Sequence, residues 1–133
     1  HINNHTIYIY TYMSNYKITK TFEDRENESR EIIDKYPNRV PLIIEKLENK
    51  NDTVIPDIDK NKYLVPDDLT VSQLMYVIKK RLKLTPDKAL FIFCGDGKLL
   101  NSGYTMRYIY ENYKDKDGFV YIVYSGESTF GSI

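Results

Sequence analysis

Gly131 is the residue at which this chain could do covalent chemistry. It sits in a small polar tail, Ser125-Gly-Glu-Ser-Thr-Phe-Gly131, that follows an apolar run, Phe119–Tyr124, and precedes Ser132 and Ile133. The tail has nothing to pack with and no charge cluster to bind with, so its use is chemistry at a glycine carboxylate once Ser132 and Ile133 are removed. Glycine suits that task. Lacking a Cβ, it threads extended into a narrow active-site channel and offers an unhindered carbonyl to thiolate and amine nucleophiles. Taken alone, a glycine in a frayed terminus explains the same residues.

The other reactive residue types read as inert. Cys94 is the single cysteine, follows an apolar run, and has no histidine or basic partner close in sequence, which describes a buried thiol rather than a nucleophile. One cysteine also excludes an internal disulfide and a CxxC metal site, and points to a reducing, intracellular setting. Histidine occurs at His1 and His5 alone, so a Cys-His pair has no support, and neither metal nor cofactor is expected. Asp115 and Asp117 alternate with Lys114 and Lys116 as in a solvated loop. The thirteen tyrosines reflect biased composition rather than a stacking surface.

The elements that must position these residues follow from periodicity. In 133 residues with 41% hydrophobic content there is material for one core. Nineteen basic and nineteen acidic residues cancel, which argues against a protein that neutralises nucleic-acid phosphates. No run reaches the roughly 20 apolar residues of a membrane span, and no secretory signal is present. His1–Tyr12 carries no acidic, lysine or arginine side chain and precedes Met13; residues 1–15 read as a leader or extension outside the domain. A strand over Ile7–Tyr12 is the other reading of that segment. From Thr21 the pattern is helical, stopping at Tyr36-Pro37 because proline excludes helical geometry from the residue before it. Val40–Lys46 and Lys62–Val65 read as two strands of a hairpin around a polar loop. Thr70-Val-Ser-Gln73 has capping-box spacing ahead of Val71, Leu74, Met75, Ile78 and Leu82 at helical intervals. Ala89–Cys94 is a buried strand, Asp96-Gly97 a turn, Lys98–Leu100 a short partner, Thr105 a helix cap, and Phe119–Tyr124 the strand that completes the sheet. This order predicts an α+β fold, the ubiquitin-like β-grasp with an additional N-terminal helical segment, spanning residues 16–125 and leaving 126–133 as a flexible tail.

The motifs Lys35-Tyr-Pro-Asn-Arg-Val-Pro41, Asp57-Ile-Asp-Lys60, Lys62-Tyr-Leu-Val-Pro66, Asp68-Leu-Thr-Val71, Tyr113-Lys-Asp-Lys-Asp-Gly-Phe119 and Tyr121-Ile-Val-Tyr-Ser-Gly-Glu-Ser-Thr-Phe-Gly131 together resemble the autophagy-related ubiquitin-like modifiers, the GABARAP-type family. Their order and spacing cover the chain from about Tyr16 onward. The resemblance implies that the chain is the transferred group and not an enzyme. A processing cysteine protease would cut after Gly131. Activating and conjugating enzymes of the ubiquitin-like cascade would then pass the acyl group through thioesters to phosphatidylethanolamine, whose two acyl chains give stable anchoring. The expected localisation is cytoplasm, then the autophagosome membrane after lipidation.

The resemblance also implies a receptor for cargo receptors bearing short aromatic-x-x-aliphatic motifs, bound as a strand added to the sheet edge. Its aromatic pocket would fall on Glu28, Ile32, Pro41, Lys62, Leu64 and Phe119, and its aliphatic pocket on Tyr63, Val65, Pro66, Leu69, Leu74 and Val77. Arg39 and Arg81 would meet acidic residues flanking the peptide. Ile32, Leu74 and Val77 serve equally as core residues of any helix-on-sheet packing. Leu74 stands where relatives carry an aromatic, which implies a roomier aliphatic pocket. The alternative is a protein of a different class, a non-conjugated β-grasp adaptor that uses the same groove in trafficking or cytoskeletal tethering while the tail stays unprocessed; Gly131→Ala separates the two.

Overall fold

The computed structural model describes residues 13–47 and 55–127. Gly131 and most of the tail, His1–Tyr12, and the loop after Leu47 lie outside the described residues.

Four short signals set the helices. Ser14 caps α1 (Asn15–Thr19), its side chain accepting from the Lys17 N–H. Thr21 caps α2 (Phe22–Lys35) in the same way through the Asp24 N–H. In α3 (Val71–Leu82) both halves of the capping box at Thr70 and Gln73 are formed. Thr105 caps α4 (Met106–Tyr113). The strands are β1 (Arg39–Lys46), β2 (Lys62–Pro66), β3 (Phe91–Cys94) and β4 (Val120–Ser125). Lys98–Leu100 forms only an isolated bridge, Leu99 opposite Phe93, rather than a strand.

The sheet order is β2-β1-β4-β3, with β1–β2 and β3–β4 antiparallel and β1–β4 parallel. The last strand therefore lies in the middle of the sheet, and all six of its residues are buried. Period-two alternation sends the strand side chains to two cores. Val40, Leu42, Ile44, Val65, Val120, Ile122 and Tyr124 face α3 and α4, where Val71, Leu74, Ile78, Met106 and Ile109 fill the main core. Ile43, Phe119 and Tyr121 face the other way and pack with Tyr16 of α1 and Ile32 of α2. Pro41 is tolerated in an inner strand because of this register. Ile44 N–H donates toward β2, to Asn61 O at 2.7 Å, so the N–H that Pro41 lacks would face β4, whose ladder begins only at Leu42.

The Asp115–Asp117 segment departs from the solvated loop expected of alternating charges. Asp117 has no exposure at all. It accepts from Arg25 Nη1 at 2.5 Å, Tyr121 O–H at 2.6 Å and its neighbour Phe119 N–H at 2.9 Å. Ser29 O–H donates to the Asp117 carbonyl, and Gly118 follows at φ +93, where a Cβ would collide with the Ser29 hydroxyl. Charge alternation cannot reveal this, because the partner that makes burial affordable, Arg25, is 92 residues away in sequence.

Candidate functional site

Among the described residues β2 pairs with β1 on one side only, which leaves its other edge open. The bonds Asn61 O to Ile44 N–H (2.7 Å) and Asn38 O to Asp67 N–H (3.1 Å) fix the register. Residues 61, 63 and 65 thus turn their backbone groups to β1. Lys62, Leu64 and Pro66 turn theirs outward. Proline has no N–H, and its carbonyl accepts from Leu69 N–H at 3.2 Å, so the open edge consists of the N–H and C=O groups of Lys62 and Leu64.

The two expected pockets fall on opposite faces of this strand. On the face of α1 and α2 lie Lys62, Leu64 and, opposite Leu64 in the register, Pro41. Ile32 and the fully buried Phe119 pack beneath them. Glu28 is the polar hub: it accepts from Lys62 Nζ and Tyr16 O–H, and Lys20 Nζ lies 3.5 Å away. Partial burial pushes the Glu28 carboxyl up, but Lys62, Tyr16 and Lys20 together hold it below the usual glutamate range. Tyr16 closes the back of the site. Its ring meets Phe119 edge-on at 5.5 Å between centroids and lies under the Lys20 and Lys62 ammonium groups.

On the face of α3 lie Tyr63 and Val65, with Leu69 packed against the same core. Leu74 is 1% exposed and belongs to the core, whereas Val77, one turn further along, is 38% exposed. Pro66 is exposed at the end of the strand. Arg81 stacks its guanidinium on the Tyr63 ring at 5.4 Å and pairs with Asp59 at 3.2 Å. Arg39 is exposed, opposite Pro66 at the other end of β2. The structure thus gathers the expected residues around one strand, with Phe119 and Leu74 as covered floor and Lys62, Leu64, Val77, Arg39 and Arg81 at or near the surface.

Tyr16 and Asp59 were not among the residues singled out from the sequence. The Ser14 cap was the available signal for α1 and hence for Tyr16; nothing local marks Asp59 as a partner of Arg81.

Catalysis finds no footing at Cys94. The residue is 3% exposed, and burial, with Asp96 adding to it, pushes the thiol up to about 12, far above what a nucleophile at neutral pH requires. Among the described residues no group of three or more His, Cys, Asp or Glu side chains could hold a metal ion, and no helix is long and apolar enough to cross a membrane.

Comparison with known proteins agrees with this fold. The family model described as "Autophagy protein Atg8 ubiquitin like" matches residues 24–131. Autophagy-related protein 8 of Vanderwaltozyma polyspora is 53% identical over 120 residues, covering 90% of this chain and 98% of that protein. Autophagy-related protein 8e of Arabidopsis thaliana is 52% identical over 117 residues, covering 88% and 93%. The crystal structure of Trypanosoma brucei ATG8 superposes with a TM-score of 0.79 at 42% identity, over 90% of this chain and 99% of that one.

Proposed function

The chain belongs to the Atg8 family of ubiquitin-like autophagy proteins, and from that premise we propose that it is a modifier conjugated through Gly131 to phosphatidylethanolamine. A cysteine protease hydrolyses the Gly131–Ser132 bond, an activating enzyme adenylates the freed carboxylate with ATP, and the acyl group passes through enzyme thioesters to the lipid amine, each thiol leaving in turn. The family match ends at residue 131, the proposed cleavage point, which supports this reading. The protein moves from cytoplasm to the autophagosome membrane by gaining a lipid, and it catalyses nothing itself. Intact-mass measurement of the protein recovered from membranes of starved cells, with its C-terminal peptide fragmented, tests the step. A terminus at Gly131 bearing phosphatidylethanolamine is expected; a tail still ending at Ile133 without lipid would overturn it.

Once on the membrane, the β2 edge recruits cargo receptors. What supports this part is that the two sets of side chains lie on opposite faces of a strand that, among the described residues, is paired on one edge only. In an extended peptide, residues i and i+3 point to opposite faces because the side-chain period is two. An aromatic residue and an aliphatic residue three positions later therefore reach the Glu28–Lys62–Leu64 side and the Tyr63–Val65–Val77 side at once. The N–H and C=O groups of Lys62 and Leu64 supply the main-chain bonds. Titration with a labelled aromatic-x-x-aliphatic peptide, monitored by amide shifts, should perturb Lys62 and Leu64 first. Shifts confined to β3 would overturn the assignment.

A further inference from the structure

The two arginines at the β2 edge are in different electrostatic states. Among the described residues Arg39 has no carboxylate within ion-pair distance, whereas Arg81 is held by Asp59, with Nη2 at 3.2 Å from Oδ1 and 3.4 Å from Oδ2. The Arg81–Asp59 pair sits beside the first residues of β2, because Arg81 lies over the Tyr63 ring, and Arg39 sits at the far end opposite Pro66. An extended ligand running along β2 thus meets a free cation at one end. At the other it meets an arginine already paired with the protein's own carboxylate, beside the exposed Lys60.

Resting on the peptide-edge reading above, we infer that Asp59 is a specificity-determining residue: a built-in competitor for Arg81 that suppresses selection for acid at one end of the peptide. A peptide carboxylate aimed at Arg81 must displace Asp59 or sit against its charge, so its gain is largely cancelled. A carboxylate aimed at Arg39 displaces nothing. Between the two arginines, the Arg39 end is the one that rewards an acidic flank without displacement; Lys60, with its Nζ 5.5 Å from the Tyr63 ring centroid, is a separate cation at the Arg81 end that Asp59→Asn leaves in place. The Asp59 side chain is 72% exposed, so its contact with Arg81 is an exposed pair that a ligand can exchange without unfolding anything.

The test uses the whole chain and three synthetic peptides sharing one aromatic-x-x-aliphatic core, with glutamate on the amino side, glutamate on the carboxyl side, or glutamine on both. Fluorescence anisotropy compares the unmodified chain, Asp59→Asn and Asp59→Glu at low and physiological salt. One acidic peptide should gain about two- to five-fold in affinity on Asp59→Asn, the scale of an exposed ion pair, with a steeper salt dependence. The all-glutamine peptide should hold within about 1.5-fold. Asp59→Glu should behave as the unmodified chain. An equal change for all three peptides, or none for either acidic one, overturns the role of Asp59 while leaving the edge reading intact. Absence of binding by every peptide to every form overturns the edge reading and this inference with it.

Discussion

Arg25 and Asp117 form an ion pair at 2.5 Å in which the carboxylate is wholly buried and the arginine side chain is only 10% exposed. The pair joins α2 to the turn that starts β4, the central strand, and so fixes the helix that carries Glu28 and Ile32 over the sheet. Asp117→Ala would leave a nearly buried guanidinium and the Tyr121 hydroxyl without their acceptor. The expected cost is about 3–5 kcal/mol, the range for breaking one half of a buried pair. Urea unfolding checks it; a loss near the ~0.5 kcal/mol typical of surface pairs would mean that Arg25 finds water instead.

Cys94 should be chemically silent in the folded protein. With the thiol pushed up to about 12 by burial and Asp96, almost none is ionised near pH 8. Disulfide exchange with an aromatic disulfide reagent at that pH should proceed only as fast as the chain opens, and become rapid in denaturant. A stoichiometric burst in native buffer would reinstate Cys94 as a candidate nucleophile.

Much of the fold could be read in the sequence because the signals were local. The Thr70–Gln73 capping box, the Tyr36-Pro37 stop and the β-branched run from Val40 each involve neighbours within four residues, and each lies where expected. The parts that could not be read depend on distant pairs. Asp117 looked solvated because its partner lies on another helix. Lys98–Leu100 has strand-like side chains but makes one bridge, since the Asp96-Gly97 turn ends too close to the following Asn101–Gly103 bend to extend the ladder. The pocket residues came from resemblance; what the structure adds is which of them are covered floor, as with Leu74, and which are open, as with Val77.

The Glu28 hub should make the aromatic side acid-sensitive. Its folded pKa lies below the ordinary value of 4.5. A depressed carboxyl contributes stability that is fully present above the unfolded pKa and is lost as pH falls through the folded one. Glu28→Gln should therefore be less stable than the unmodified chain at neutral pH, and the difference should shrink as pH falls below about 4.5. Urea midpoints from pH 7 to 3 decide the matter; a gap that stays constant with pH would assign the loss to shape rather than charge.

Lys83 ends α3 at φ 57 and ψ 38, the only positive φ outside glycine among the described residues. The geometry is that of a helix C-terminus closed by a left-handed residue: Leu84 N–H reaches back to Lys79 O at 3.0 Å and Lys83 N–H to Lys80 O at 3.2 Å. A side chain there is strained by its Cβ, whereas glycine enters the region freely at some cost in unfolded-state entropy. Lys83 is exposed, and Lys79, Lys80 and Arg81 keep the last turn basic without it, so little charge–dipole stabilisation is lost. Lys83→Gly should raise stability by about 0.5–1 kcal/mol in urea unfolding. Because Arg81 and Val77 remain on the same helix, peptide affinity at the β2 edge should be unchanged. A destabilised variant would show that the lysine side chain makes a contact worth more than the strain it bears.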